Sequence, residues 1–292
     1  MKNPIQIVTG TREVSRLVRG QPTSDGDGVK LTRVIGGSAL SDLDPFLLLD
    51  EFGSESSADY IGGFPSHPHR GFETVTYMLE GRMRHRDNQG NEGLLVPGSV
   101  QWMTAGRGIV HSEMPEQEEG RMRGFQLWVN LPAKDKMTAP RYQDIAPERI
   151  PRIRTAEGAE VRVIAGSFVD ATGAETRGPV EGIAIDPLYL DVTLPKGVRF
   201  EQPLAADHAA FIYVFEGQAS IGEHSGPAVR GDLAVLAEGD RIAVTAAIAA
   251  TRFIVVAGRP LNEPVVKYGP FVMNTRAQIV QAVDDYSSGR FT

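Results

Sequence analysis

The sequence predicts an all-β protein built from two copies of one barrel or sandwich domain, with a single short helix near its C-terminus. Three observations carry this. Apolar stretches rich in β-branched and aromatic residues recur along the chain and end at Gly, Pro or Asn. The 32 glycines and 19 prolines punctuate these stretches at the regular spacing of a sandwich or barrel. Two segments echo each other across the midpoint of the chain.

In order, strands are predicted at 46–52 (FLLLDEF), 73–81 (ETVTYMLEG) and 125–131 (FQLWVNL). Three more follow at 188–194 (LYLDVTL), 210–217 (AFIYVFEG) and 251–258 (TRFIVVAG). The best helical signal is RAQIVQAVDDY at 276–286, preceded by Asn274 and Thr275 as caps and followed by Gly289. Residues 132–151 are polar and proline-rich without sustained alternation, and read as a linker. They divide the chain into a domain over 1–135 and a linker plus second domain over 136–292. The echo pairs TYMLEGRM at 76–83 with IYVFEGQA at 212–219, an offset of 136 (217 minus 81). LVPGSVQWM at 95–103 has a weaker partner in AVRGDLAVL at 228–236, an offset of 133 (231 minus 98). Similar offsets point to duplication of one β-domain.

Composition limits the function classes. Hydrophobic residues at 41% and charged residues at 23% are near the globular average, so the chain is expected to fold around a core. With no cysteine, disulfides, thiolate metal sites and cysteine nucleophiles are excluded. A formal net charge of −7 argues against direct nucleic-acid binding, which needs a basic footprint. The first twenty residues, MKNPIQIVTGTREVSRLVRG, lack an apolar core of signal-peptide length, and no apolar run is long enough to span a bilayer. The expectation is a cytoplasmic protein with no membrane partner.

The chemistry concentrates in two short motifs. In SHPHRG (66–71), His67 and His69 lie two apart, so in a strand both imidazoles point to one face. Pro68 between them removes a backbone donor, which suits an edge strand or a strand start. In GRGIVHSEMP (106–115), His111 and Glu113 are again two apart, and Gly106 and Gly108 permit a sharp turn into that strand. If the strands face each other, three neutral nitrogens and one carboxylate oxygen converge on a divalent first-row transition metal. Three of the six histidines fall in these two motifs. His85, in the charged stretch RMRHRDNQGNEG, reads as a hairpin-loop residue, and His208 and His224 as surface residues. Glu73 shares the parity of His67 and His69 in an unbroken strand and competes with Glu113 as the carboxylate, unless a bulge near Gly71 turns it away.

At these residues the sequence resembles the cupin superfamily and, within it, the pirin family. The first cupin motif runs from Gly62 or Gly63 through His67, His69 and Glu73 to Gly81. It departs from the usual pattern in that Thr74 holds the usual glutamate slot. In the second motif, Gln101 stands where a histidine normally follows P-x-G. HPHRGFETVTY, GRGIVHSEMP and QLWVNLP all resemble the pirin pattern, as do DPFLLLDEF near the start and GPFVMNT near the end. The matches run from about residue 28 to the C-terminus. The resemblance implies two tandem cupin (jelly-roll-like) β-barrels with the metal only in the first. It implies His67, His69, His111 and Glu113 as ligands, Glu73 outside the set, and iron as the usual metal, with Mn, Ni, Cu and Zn as alternatives. Mapping His67, His69 and Thr74 forward by 136 gives Pro203, Ala205 and Ala210, none of them a side-chain ligand.

Open coordination positions on such an ion suit O2 activation. The resemblance extends to quercetinases, which implies a dioxygenase acting on a flavonol such as quercetin, with Glu113 as the catalytic base. Phe72, Met103 and Trp128 are candidate walls of an apolar pocket. A second reading is a metal-dependent regulatory protein that binds a protein partner without turnover. A third is a zinc isomerase or hydrolase on the same barrel.

Overall fold

The computed structural model describes residues 9–292, so the first eight residues of the N-terminal stretch discussed above lie outside it. The chain divides into two compact units. The first comprises Gln21–Arg149 and Leu261–Thr292, and the second the described residues up to Gly20 and Ile150–Pro260. A single cut at residue 135 therefore does not reproduce the units. Each takes in a segment from the far end of the chain, because sheet pairing and core burial, not sequence order, decide which unit a strand joins.

In the first unit a seven-stranded sheet has the order Arg141–Ile145, Val100–Thr104, Phe72–Glu80, Met122–Asn130, Phe46–Ser54, Val29–Ile35 and Gln21–Asp25. A four-stranded sheet has the order Phe64–His69, Ile109–Pro115, Met83–Asp87 and Glu92–Leu95. Val29, Leu31, Phe52 and Met78 from the larger sheet pack with Met83 and Leu95 from the smaller, so the core lies between two sheets. All the pairings are antiparallel.

The second unit repeats this plan. Its seven-stranded sheet runs Val14–Arg19, Asp232–Leu236, Ala209–Glu216, Thr251–Gly258, Leu188–Leu194, Glu160–Ala165 and Arg152–Arg154. Its four-stranded sheet runs Arg199–Pro203, Arg241–Thr245, Gln218–Ile221 and Pro227–Val229. Leu190, Ile212 and Val255 meet Phe200, Ile221 and Val244 in its core. Strand for strand the two orders correspond, which is what duplication of one cupin domain predicts. The correspondence exposes a further echo between the units: Arg33-Val34-Ile35 matches Arg162-Val163-Ile164, and Asp44-Pro45 matches Asp186-Pro187. One edge position is filled differently. Arg141–Ile145 occupies it in the first unit, and Val14–Arg19, from the opposite end of the chain, in the second.

All six strands read from the sequence are present. The helix spans Arg276–Ser287 and begins with a capping box in which the Thr275 hydroxyl accepts from the Gln278 backbone N–H. The 132–151 segment is not wholly linker, since Arg141–Ile145 adds to the sheet against Val100–Thr104. Pairing to an existing edge, rather than any alternation of its own, makes that stretch a strand.

Candidate metal centre

The site is built on the four-stranded sheet of the first unit. His67 and His69 sit on the edge strand Phe64–His69, where Pro68 costs the ladder little. That strand pairs with Ile109–Pro115 so that His111 lies opposite His67 and Ile109 opposite His69. Two half-motifs 42 residues apart (His111 minus His69) thus meet on the core-facing side of one sheet. Among the described residues, His67, His69 and His111 form one cluster whose ring nitrogens all lie within 4.8 Å of one another.

The donor set fits a metal ion. His67 Nδ1 is 2.7 Å from the Pro65 carbonyl oxygen, which can only accept, so the ring proton is on Nδ1 and Nε2 is left bare. That Nε2 faces His69 Nε2 at 3.0 Å. His111 Nε2 is buried without a hydrogen-bond partner. Burial holds the His69 imidazole well below its ordinary range, with neighbouring His67 adding to the shift and the Pro270 carbonyl opposing it. Burial does the same to His111, reinforced by His69, His67 and His85. At His69 and His111 this favours the neutral ring, the form that a divalent cation needs.

Glu113, two residues beyond His111, is buried and lines the same cavity. Its carboxylate is outside the three-histidine cluster, and its Oε1 accepts from the Thr76 hydroxyl at 2.9 Å. The Glu73 side chain is engaged elsewhere. The strand is broken after His69 by Arg70 and Gly71, and Glu73 accepts from Trp102 Nε1 (3.0 Å) and the Thr104 hydroxyl (2.7 Å). Burial raises its pKa, and the two donors oppose that shift. The corner at Gly71 has φ +89° and so close a backbone approach that an added Cβ would lie 2.0 Å from the Val272 oxygen.

Two segments brace this corner. Arg70, buried beside His69, donates to Asp285 Oδ2 (2.7 Å), to the Phe291 carbonyl (3.2 Å) and to the Arg107 carbonyl, with its guanidinium over the Phe291 ring. Lys136 Nζ donates to Gly71 O (2.7 Å), Asn130 Oδ1 (2.7 Å) and Val272 O (3.1 Å).

The cluster opens into a cavity of ≈ 580 Å³, with Leu31, Leu47, Phe52, Phe64 and Trp128 among its apolar walls and Gln126 among its polar ones. Arg33 grips Asp50 there through two hydrogen bonds (3.0 and 2.7 Å), while burial raises Asp50 to about 6. Of the three aromatic and sulfur residues expected as walls, Trp128 lines the cavity. Phe72 packs beneath Trp128 at 4.4 Å, and Met103 lies in a separate core cluster with Ala105 and Ile109.

The sequence reading placed His85 in a loop, and the structure corrects this. His85 is on the strand Met83–Asp87, 1% exposed, opposite Glu113, with its Nδ1 3.3 Å from His111 Nδ1. The signal was present in MRHRD: Arg84 and Arg86 point outward and Met83 and His85 inward, a period of two. His208 is likewise buried, at 7% exposure, while His224 is exposed. Strand pairing also moves the equivalent positions in the second unit. Ile109 opposite His69 corresponds to Ile242 opposite Gln202, and His111 opposite His67 to Val244 opposite Phe200. The offset is 133 (200 minus 67), not 136, and Glu113 then corresponds to Ala246.

The fold and the histidine cluster define a protein of two cupin domains with a candidate metal centre in the first. Residues 28–129 match the family model described as Pirin, and residues 189–292 the one described as Pirin C-terminal cupin domain. The chain belongs to the pirin family. It is 54% identical to a pirin-like protein of Caulobacter vibrioides, over 96% of this chain and 99% of that one. It is also 54% identical to a Pseudomonas aeruginosa protein provisionally named a quercetin 2,3-dioxygenase, over 97% of this chain and 99% of that one. The crystal structure of a quercetin 2,3-dioxygenase from Acinetobacter baumannii superposes with a TM-score of 0.87 at 34% identity, covering 97% of this chain and 99% of that chain. Among the described residues no helix is long and apolar enough to cross a membrane.

Proposed function

We propose that this chain is a dioxygenase of flavonols such as quercetin, acting at a single divalent transition metal held by His67, His69, His111 and Glu113, with iron(II) as that metal. The observation that carries the reading is that a cluster of three imidazoles borders, through His67 and His69, a largely apolar-walled cavity of ≈ 580 Å³, within the usual size of a small-molecule site. The metal, when bound, would polarise a chelating oxygen of the substrate and provide a place for O2. Glu113 accepts the proton of the flavonol 3-hydroxyl, and Thr76 holds Glu113 Oε1 in place for that transfer. Trp128, Phe64 and Leu47 cover the ring system and keep water from it. The second unit carries no metal in this reading, since Phe200, Gln202, Val244 and Ala246 occupy the corresponding positions.

The test loads the purified protein anaerobically with iron(II), adds quercetin and then admits O2. The expected result is loss of the flavonol absorbance with release of one carbon monoxide per flavonol, both oxygen atoms of O2 entering the products. Reloading with Mn, Ni, Cu or Zn ranks the metals. Protein that holds one equivalent of each metal yet consumes no flavonol would refute the activity.

A further inference from the structure

His85 is a buried imidazole beside the candidate metal centre that the proposed reaction does not use. Its Nδ1 lies 3.3 Å from His111 Nδ1, and the two ring centroids are 5.0 Å apart. His85 lies outside the histidine cluster, so no cation would stand between these two nitrogens, and one ring must donate while the other accepts. We propose that His85 is a positioning residue that accepts the His111 Nδ1–H, fixes His111 in that tautomer and so leaves the His111 Nε2 lone pair free for the metal.

Three observations support the direction of this bond. First, the Nε2 atoms of both rings are buried without a hydrogen-bond partner, but only His111 joins the cluster with His67 and His69, so its Nε2 is the one with a cation to meet. For that Nε2 to offer its lone pair to a metal, the single proton of the neutral ring must sit on Nδ1, where His85 is the acceptor. Second, His67 is arranged by the same rule: its Nδ1 faces the Pro65 carbonyl at 2.7 Å, which leaves its Nε2 bare. On the Ile109–Pro115 strand, His85 does for His111 what a backbone carbonyl does for His67. Third, the cluster of mutually close ring nitrogens does not include His85, which stands behind His111, its ring edge-on to Tyr142 at 4.9 Å. The sheet register keeps His85 there, because the Met83–Asp87 strand pairs residue for residue with Glu113 opposite His85.

The inference rests on His111 being a metal ligand but not on flavonol turnover, and its test reads zinc rather than activity. Zn(II) affinity is measured by chelator competition for wild type, His85→Leu and His85→Asn. An Asn Oδ1 occupies nearly the place of an imidazole Nδ1 and can accept the same proton, whereas Leu cannot. The Leu variant should lose about 10- to 100-fold in affinity, and the Asn variant less than about tenfold. Equal affinity in all three, or equal loss in both variants, overturns the proposal. Thermal unfolding of the metal-free forms separates a folding defect from a binding one. Independently of any variant, long-range ¹H–¹⁵N correlation of the histidine rings in the zinc-loaded wild type should show His111 protonated at Nδ1 and zinc-bound at Nε2, with His85 Nδ1 unprotonated. Zinc on His111 Nδ1, zinc on His85, or a proton on His85 Nδ1 overturns the assignment. Zinc absent from His67, His69 and His111 alike overturns the metal site itself, a result distinct from the others.

Discussion

Replacing Lys136 by Met should destabilise the first unit, and by an amount that grows with pH. The ammonium is 1% exposed and donates to Gly71 O, Asn130 Oδ1 and Val272 O. Met has a similar volume and no donors, so three buried acceptors lose their partner. At ~2 kcal/mol for each unsatisfied acceptor the loss is ~6 kcal/mol. Against this, burial lowers the lysine from 10.5 to about 8, so a charged Lys136 costs the fold ~3 kcal/mol that Met relieves. The net loss at pH 7 is therefore ~3 kcal/mol. The sign of the pH dependence follows from the depressed pKa. Between about pH 8 and 10.5 the unfolded chain binds the proton and the folded chain does not, so wild-type stability rises with pH in that window. The Lys136→Met variant has nothing to titrate at this position, so the difference between the two proteins should widen by ~3 kcal/mol between pH 7 and about pH 10.5. Urea unfolding followed by tryptophan fluorescence reads this unit alone, because both tryptophans, Trp102 and Trp128, belong to it. A stability difference that stays flat or shrinks from about pH 7 to 10.5 would refute the reasoning.

Other expectations follow from the same corner and its neighbours. Gly71→Ala should cost upwards of ~3 kcal/mol, since φ is +89° and the new Cβ would lie 2.0 Å from the Val272 oxygen; an unchanged urea midpoint would show that the corner can move. Glu73→Gln should keep its metal and lose ~1 kcal/mol of stability, because the amide oxygen still accepts one of the two donors. Glu113→Gln should lower metal content; elemental analysis showing the reverse order would make Glu73 the ligand.

Much of this site was legible because its parts are local. The motifs HPH and HSE each state their own geometry through the period of two, and the six strong strands announce themselves by composition. What was lost depends on distant partners. His85 looked like a loop residue because arginines flank it, yet those arginines mark the outer face of a strand whose inner face carries the imidazole. Nothing in RYQDI states that it will pair with the Val100–Thr104 strand. Nothing in VSRLVR states that its partner is the Asp232–Leu236 strand, more than two hundred residues on. The echo of RVI and DP between the two units was hidden by unequal spacing. Arg33 to Arg162 is 129 residues, and Asp44 to Asp186 is 142. The extra 13 fall where the second unit inserts the small hairpin Ser167–Val169 and Glu175–Arg177.

The duplicated scaffold also bears on why the first unit carries its histidines. The second unit buries Phe200, Val244 and Ala246 at the positions where the first places His67, His111 and Glu113. The apolar solution is the stable default, since apolar groups in a core need no partners. The polar one leaves His85 Nε2 and His111 Nε2 buried without hydrogen bonds, at ~1–3 kcal/mol each. It also presses two imidazole nitrogens together at 3.0 Å. A fold that bears this cost in one copy of a domain and not in the other has a use for the polar groups. A cation bonded to their lone pairs would offset the cost, so metal binding should raise the unfolding midpoint of the first unit. Because binding to the folded state alone stabilises it by RT ln(1 + [L]/Kd), a metal held a thousandfold above its Kd adds ~4 kcal/mol. A tryptophan-monitored urea midpoint that does not move between metal-free and zinc-saturated protein would mean that the histidines serve something other than a metal.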